Sequence, residues 1–187
     1  MIPLSHSVAS QALSLAPRFR AYVALGGNLG DARACLRAAV KALAALPATR
    51  LEGGSSLYRT RPVDAAGPDF LNAVVAIDTP LAPHELLGAL LRIELEQGRE
   101  RPHVNAPRTL DLDLLHHGGA MLSSDALTLP HPRQAGRAFV LVPLAELSGQ
   151  LPARSDSPLP PLPDVEIRAE LAAAQGIETI SGPEWLV

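Results

Sequence analysis

The segment Ala106-Pro107-Arg108-Thr109-Leu110-Asp111-Leu112-Asp113-Leu114-Leu115 decides how the rest of the chain is read. It alternates strictly. That predicts a β-strand with Leu110, Leu112 and Leu114 on one face and Thr109, Asp111 and Asp113 on the other. Same-face neighbours on a strand stand roughly 6.5–7 Å apart. Two carboxylates that close repel each other unless a positive charge lies between them. Taken alone, the segment leaves two readings open. One is an amphipathic strand with a solvated acidic face. The other is a seat for a hard divalent cation such as Mg2+, which takes oxygen ligands and commonly keeps water and phosphate oxygens as well.

The residues just upstream favour the second reading. Arg99 to Arg108 is polar, broken by Pro102 and Pro107, and predicts a surface loop. It delivers Arg99, Arg101 and Arg108 directly into the acidic strand. Carboxylates for a metal beside guanidiniums for phosphate oxygens is the arrangement that a Mg2+–polyphosphate substrate requires. Lys41 is the only lysine, so any phosphate clamp must be built from arginine, whose planar fork suits bidentate contact.

Working outward, Ala21-Tyr22-Val23-Ala24-Leu25 predicts a strand that ends in the glycine turn Gly26-Gly27-Asn28-Leu29-Gly30-Asp31. Asp31 is placed to cap a helix carrying Leu36, Val40 and Leu43 that stops near Pro47. The turn is a tight turn or a phosphate loop, but not a Walker loop, because no Gly-Lys-Ser/Thr follows. Arg50 to Arg59 predicts one second strand, and Thr60 to Asp69 a Pro/Gly-rich loop. Phe70 to Asp78 is apolar on both faces and predicts a central, doubly covered strand. Asn72 is the polar exception on it, and a buried amide needs partners for both oxygen and nitrogen. Pro83 to Gly98 predicts a second helix with a buried stripe of Leu86, Leu87, Leu90, Leu91 and Leu95, and Glu94 at its edge.

The order strand, helix, strand, strand, helix, strand predicts an α+β fold: a ferredoxin-like βαββαβ core, its antiparallel sheet packed by helices. Additional C-terminal elements follow. Residues 151–164 form a Pro-rich connector, Glu166 to Gln175 a short helix and Gly176 to Ile180 a last strand. The expected organisation is a flexible extension over residues 1–20, a single functional domain over 21–180 and a loosely packed tail, 181–187, around Trp185.

Composition narrows the classes. Of the 187 residues 47% are hydrophobic but only 3% aromatic, so the core must be mostly Leu, Val and Ala. A net charge of −3 gives no general attraction to nucleic acid. The one cysteine, Cys35, excludes an internal disulfide. No run is long enough to span a bilayer, and Met1 to Pro17 lacks the features of a secretory signal. The expectation is a cytoplasmic monomer without membrane or nucleic-acid partners.

Several blocks together resemble one family, the 6-hydroxymethyl-7,8-dihydropterin pyrophosphokinases of folate biosynthesis. Arg108-Thr109-Leu110-Asp111-Leu112-Asp113 resembles its signature, and Leu25 to Gly30 its first turn. Ser55 to Thr60 and Phe70 to Ala73 resemble its second and third strands, and Arg92 to Arg99 its second helix and exit. Leu129-Pro130-His131-Pro132 and Arg137 to Leu144 resemble the segment after its metal strand. The resemblance runs from Ala21 to Glu146. It implies a transferase that moves pyrophosphate from ATP to the hydroxymethyl group of 6-hydroxymethyl-7,8-dihydropterin, releasing AMP, with two Mg2+ ions.

By the same resemblance, Asp111 and Asp113 are metal ligands. They form the catalytic group together with Arg99 and Arg108. Glu94, Arg99, Arg101, Arg108, Leu114, Thr128, His131 and Arg137 fall at ATP-binding positions. Thr60, Val63, Phe70, Asn72 and Phe139 fall at pterin-binding positions. The pterin edge is an amide-like pattern that Asn72 would read, and Phe139 would stack on the ring.

The chain departs from the family pattern in three places. The Gly98–Arg108 loop is one residue shorter and lacks a tryptophan, with Asn105 near that position. Pro132 replaces an aromatic, and Arg61 replaces a proline. Two other readings compete: a different Mg-dependent nucleotidyl or phosphoryl transferase using the Asp-x-Asp strand, and a non-catalytic ferredoxin-like module.

Overall fold

The computed structural model describes residues 16–62, 67–98, 108–159 and 162–187. Its architecture follows from strand β4 (Phe70–Thr79), whose two faces are both apolar. Ala73, Val75 and Ile77 enter one core cluster, and Val74 and Ala76 a second. A strand buried on both sides must sit inside a covered sheet.

Strand β1 (Phe19–Gly27) runs antiparallel along one edge of β4, and β5 (Asp111–His117) runs antiparallel along the far edge of β1. On the other side of β4 lie β2 (Arg50–Gly54) and β3 (Leu57–Thr60). Strand β8 (Glu178–Ser181) closes that edge against β3, giving the order β5-β1-β4-β3-β8 with β2 also on β4. A small hairpin, β6 (Leu122–Ser123) with β7 (Thr128–Leu129), follows β5.

Helices α1 (Ala32–Ala44) and α2 (Pro83–Glu96) cover one face of the sheet, through Leu36, Val40 and Leu43 and through Leu86, Leu90 and Ile93. Helix α3 (Ala138–Gln150) covers part of the other through Val140, Leu144 and Leu147. Helix α4 (Val165–Gln175) packs on α3. This is the βαββαβ core expected from the sequence, with β2 and β3 together forming one arm. Asp31 caps α1 as expected, its carboxylate accepting from Ala34 N at 3.0 Å. No helix among the described residues is long and apolar enough to cross a membrane.

Four local expectations are corrected. Arg50 to Arg59 is not one strand, because the ladder breaks at Ser55-Ser56. The Ser55 hydroxyl accepts from Val74 N at 3.0 Å, while Ser56 N donates to both Glu146 oxygens at 2.9 and 3.1 Å. In α2 the buried stripe is Leu86, Ala89, Leu90, Ile93 and Glu94. Leu91 and Leu95 are 40% and 69% exposed, because they fall off the helical phase that Leu86, Ala89, Leu90, Ile93 and Glu94 share. The regular strand β5 starts only at Asp111 and runs to His117; it carries a bulge, because Val23 pairs with Leu114 but Tyr22 with His116. Trp185, finally, is no loose tail: it is 1% exposed and belongs to the α1/α2 core.

The Pro-rich connector is tied down by charge. Arg154 reaches Asp78 at 2.9 Å, and the Ser157 hydroxyl accepts from Arg20 N at 2.9 Å.

The bulge also leaves His116 buried, edge-on to Tyr22 at 6.3 Å between ring centroids. Burial pushes its pKa down from 6.5 to about 4. A depressed histidine pKa means that stability present above pH 6.5 is lost as the pH falls towards 4, a loss of about 3 kcal/mol for a shift of this size. His116→Leu is therefore expected to flatten the fall of Tm between pH 6.5 and 4, measured by thermal melts across that range. A variant that loses as much stability as the native chain would acquit His116.

Candidate active site

Register places three residues in a row across the sheet. Asp111 on β5 pairs with Gly26 on β1, and Gly26 pairs with Asn72 on β4. One residue pair along, Asp113 stands opposite Ala24, and Ala24 opposite Val74. Helix α3 covers this face only beyond that point, over Ala24, Val74 and Ala76. The uncovered end is a cavity of about 270 Å3. Gly26 lines it between the two polar side chains, and a Cβ there would stand 3.2 Å from Asn72 Oδ1.

The glycine turn proves to be scaffold. A Cβ on Gly27 would meet the Thr109 carbonyl oxygen at 2.4 Å, so only glycine lets the turn pass under the start of β5. Asn28 then staples Arg108 from both backbone and side chain: its N–H donates to Arg108 O, and its Oδ1 accepts from Arg108 N, each at 2.9 Å. Its Nδ2 also holds Pro68 O at 3.1 Å. The turn thereby fixes the backbone from which Arg108 enters the cavity.

Two similar constellations face each other across the site. Arg108 lies 3.1 Å from Asp111 and 5.7 Å from the Phe70 ring centroid. Arg137 lies 3.8 Å from Asp113 and 5.5 Å from the Phe139 centroid. Each arginine spans one carboxylate and one aromatic face. Asp113 is nevertheless pushed above the ordinary carboxylate range, by burial first and by Asp111 second; His131 and the arginines only partly offset this. Burial also holds His131 below its ordinary value, with Arg137 and Arg133 adding to the effect. Asn72 is 5% exposed and donates from Nδ2 to Thr60 Oγ1 at 2.8 Å.

Of the residues singled out from sequence, Thr60, Phe70, Asn72, Arg108, Asp111, Asp113, Arg137 and Phe139 line this one cavity. Glu94 stands behind it: the carboxylate is 2% exposed, and its Oε1 accepts from Leu112 N at 2.7 Å, between the two aspartates. Leu114 points into the α1/α2 core, and Thr128 lies on β7. His131 follows β7, its N–H donating to Leu115 O at 3.0 Å, close enough to Asp113 for each to influence the other's charge. Val63, Arg99 and Arg101 lie outside the described residues.

The sequence reading missed Arg61, Arg133 and Gln175, which also line the cavity. Arg133, two residues after His131, had a signal in its basic charge; Gln175 had none. Among the described residues no cluster of three or more His, Cys, Asp or Glu could hold a metal. A cation at Asp111 and Asp113 would therefore draw its remaining ligands from substrate and water, the habit of Mg2+. The crowding that raises Asp113 is what such a cation would relieve.

Comparison with known proteins agrees with this geometry. Residues 22–149 match the family model described as 7,8-dihydro-6-hydroxymethylpterin-pyrophosphokinase. Three curated relatives, each named 2-amino-4-hydroxy-6-hydroxymethyldihydropteridine pyrophosphokinase, are similar over most of the chain. The protein of Pseudomonas aeruginosa is 47% identical over 167 residues, 87% of this chain and 98% of the relative. That of Methylorubrum extorquens is 50% identical over 133 residues, 71% of this chain and 84% of the relative. That of Haemophilus influenzae is 45% identical over 132 residues, 70% of this chain and 82% of the relative.

Proposed function

The chain belongs to the 7,8-dihydro-6-hydroxymethylpterin-pyrophosphokinase family, and on that premise we propose how its own residues carry the reaction. It is a transferase of folate biosynthesis that moves pyrophosphate from ATP to the hydroxymethyl group of 6-hydroxymethyl-7,8-dihydropterin, giving AMP and the pterin diphosphate. The observation that supports the residue assignment most strongly is the row Asp111–Gly26–Asn72, which sets a carboxylate beside an amide with open space between them.

Asn72 reads the pterin edge. Thr60 takes one amide proton and fixes the side-chain plane, leaving a second N–H and the carbonyl oxygen for a ring of alternating donors and acceptors. Phe70 and Phe139 offer their faces to the flat ring, and Val63 is assigned to the pterin on the family resemblance alone. Asp111 and Asp113 would hold the two Mg2+ ions that the family resemblance implies, and those ions would supply charge neutralisation for the polyphosphate. Arg108, Arg137 and His131, with Arg99 and Arg101 from the loop, bind and orient the polyphosphate; Arg108 and Arg137 use the same forks that face the carboxylates. Glu94 holds Leu112 and with it the spacing of the two aspartates, at the nucleotide end with Leu114 and Thr128. The chain's work is thus positioning: two reactants held in line, with charge matched where it develops.

The functional unit takes in residues 19 and 20 of the expected extension, which belong to β1, and runs on to the turn that buries Trp185; it acts as a cytoplasmic monomer without nucleic-acid or membrane partners. The net charge of −3 supports the last point. The test is direct. Incubated with Mg-ATP and 6-hydroxymethyl-7,8-dihydropterin, the protein should release AMP one-for-one with pterin diphosphate. Free pyrophosphate or ADP in place of AMP would overturn the assignment in favour of another phosphoryl or nucleotidyl transfer.

A further inference from the structure

Gln175, the last residue of α4, lies beyond the stretch matched by the family model. We infer that it is a positioning residue for Arg137, so that the C-terminal helix is a working part of the active site. The inference rests on the phosphate-binding role given to Arg137 above.

The geometry is specific. Gln175 Nε2 donates to Gly136 O at 2.9 Å, and Gln175 Oε1 accepts from Ala138 N at 2.9 Å. Gly136 O belongs to the peptide group that enters Arg137, and Ala138 N to the one that leaves it. A single planar amide therefore grips both peptide groups of Arg137, as a neighbouring strand would. Arg137 needs the grip. It sits between a 3-10 turn (Gln134–Gly136) and the first residue of α3, in extended conformation with φ −115° and ψ 104°. No side chain of its own caps α3, so the amide of Gln175 also satisfies one of the orphan N–H groups at that helix start.

Gln175 is itself held from behind. Gly176 adopts the left-handed conformation at φ 60°, which turns the chain straight into β8. Strand β8 pairs with β3, and Glu178 meets Arg59 at 2.7 Å. The grip on Arg137 thus traces back to the sheet edge. The same side chain lines the cavity beside Arg61 and Gly136. Only an amide supplies donor and acceptor side by side: glutamate keeps the acceptor alone, and leucine neither.

The test is a double-mutant cycle on Gln175→Leu and Arg137→Ala, reading kcat and the KM for Mg-ATP alongside the melting temperature. Gln175→Leu alone should lower kcat by about tenfold to a hundredfold, the cost of a misplaced phosphate-binding arginine. In the Arg137→Ala background the same change should cost less than about twofold, because Gln175 acts through Arg137. Wild-type kcat in Gln175→Leu, with Arg137→Ala impaired, overturns the inference alone. So does an equal fold-loss in both backgrounds. Wild-type kcat in Arg137→Ala overturns the role of Arg137 and this inference with it. Should Gln175→Leu fail to fold, Gln175→Glu, which retains the acceptor for Ala138 N, takes its place in the same cycle.

Discussion

Asp113→Asn is expected to lower AMP formation by at least about a hundredfold, while the metal-free variant melts no lower than the native chain. The two halves of this expectation have one cause. Burial and the Asp111 carboxylate both disfavour the charged form of Asp113, so its folded pKa lies above its unfolded value. A carboxyl raised in this way subtracts stability, and the subtraction grows as the pH climbs from 3.8 through the folded pKa. The amide carries no charge to desolvate, so the folded state gains what function loses. Asp111→Asn should lower activity to a similar degree and relieve Asp113 of its repelling neighbour. Activity is read as AMP per pterin diphosphate, and stability by thermal melts in chelator. Both variants turning over at the native rate would sink the metal role of the pair. Lost activity with a collapsed melt would mean instead that the carboxylates are structural.

The second large effect lies in the C-terminal turn, whose Trp185 is not part of the cavity lining. Trp185→Ala should cost about 3–5 kcal/mol, as truncation of a buried aromatic does. For a domain of this size that lowers Tm by roughly 6–20 °C. The indole is 1% exposed, packed with α1 and α2 residues. Its Nε1 donates to Ser55 O at 2.8 Å, and its own carbonyl accepts from Arg37 Nε at 2.6 Å. Ser55 lies between β2 and β3, which each pair with β4, and its carbonyl accepts from the indole instead of from a strand. Leu186 fills the space beside it, where a Cβ on Gly54 would come within 2.7 Å of Leu186 Cδ1. Trp185→Phe refills most of the volume but leaves that carbonyl unpaired, at a cost of about 1–3 kcal/mol. A Trp185→Ala variant that melts with the native chain would show that the C-terminal segment is dispensable to the core.

These two sites differ in how far the sequence announced them. Strands β1 and β4, helix α1 and the acidic face of β5 were legible because periodicity is a local property: residues two or four apart share a face whatever the rest of the chain does. Asn72 was legible as the lone amide on an otherwise apolar strand. Trp185 was not. One aromatic between Pro183 and the last residues has no period, and its burial depends on Ser55, 130 residues away. Gln175 was invisible for the same reason, since its partners lie 37 and 39 residues back. The bulge at Leu115 escaped because alternation carries no information about an inserted residue. In α2, Leu91 and Leu95 carry the same apolar signal as the buried stripe but fall off its helical phase, so they face solvent. The roles of Val63, Arg99 and Arg101 depend on segments outside the described residues.

The burial of Trp185 also has an optical consequence. It is the only tryptophan in the sequence, and it does not line the cavity. Intrinsic fluorescence of this enzyme therefore reports on the seam between Ser55, Arg37 and the C-terminal turn, with the blue-shifted emission of an indole shielded from water. Titrating nucleotide or pterin should leave that emission nearly still, while denaturant should shift it sharply. The chain carries a clean lamp for unfolding and a dark one for catalysis, so ligand affinities must be read by calorimetry or by the pterin's own light.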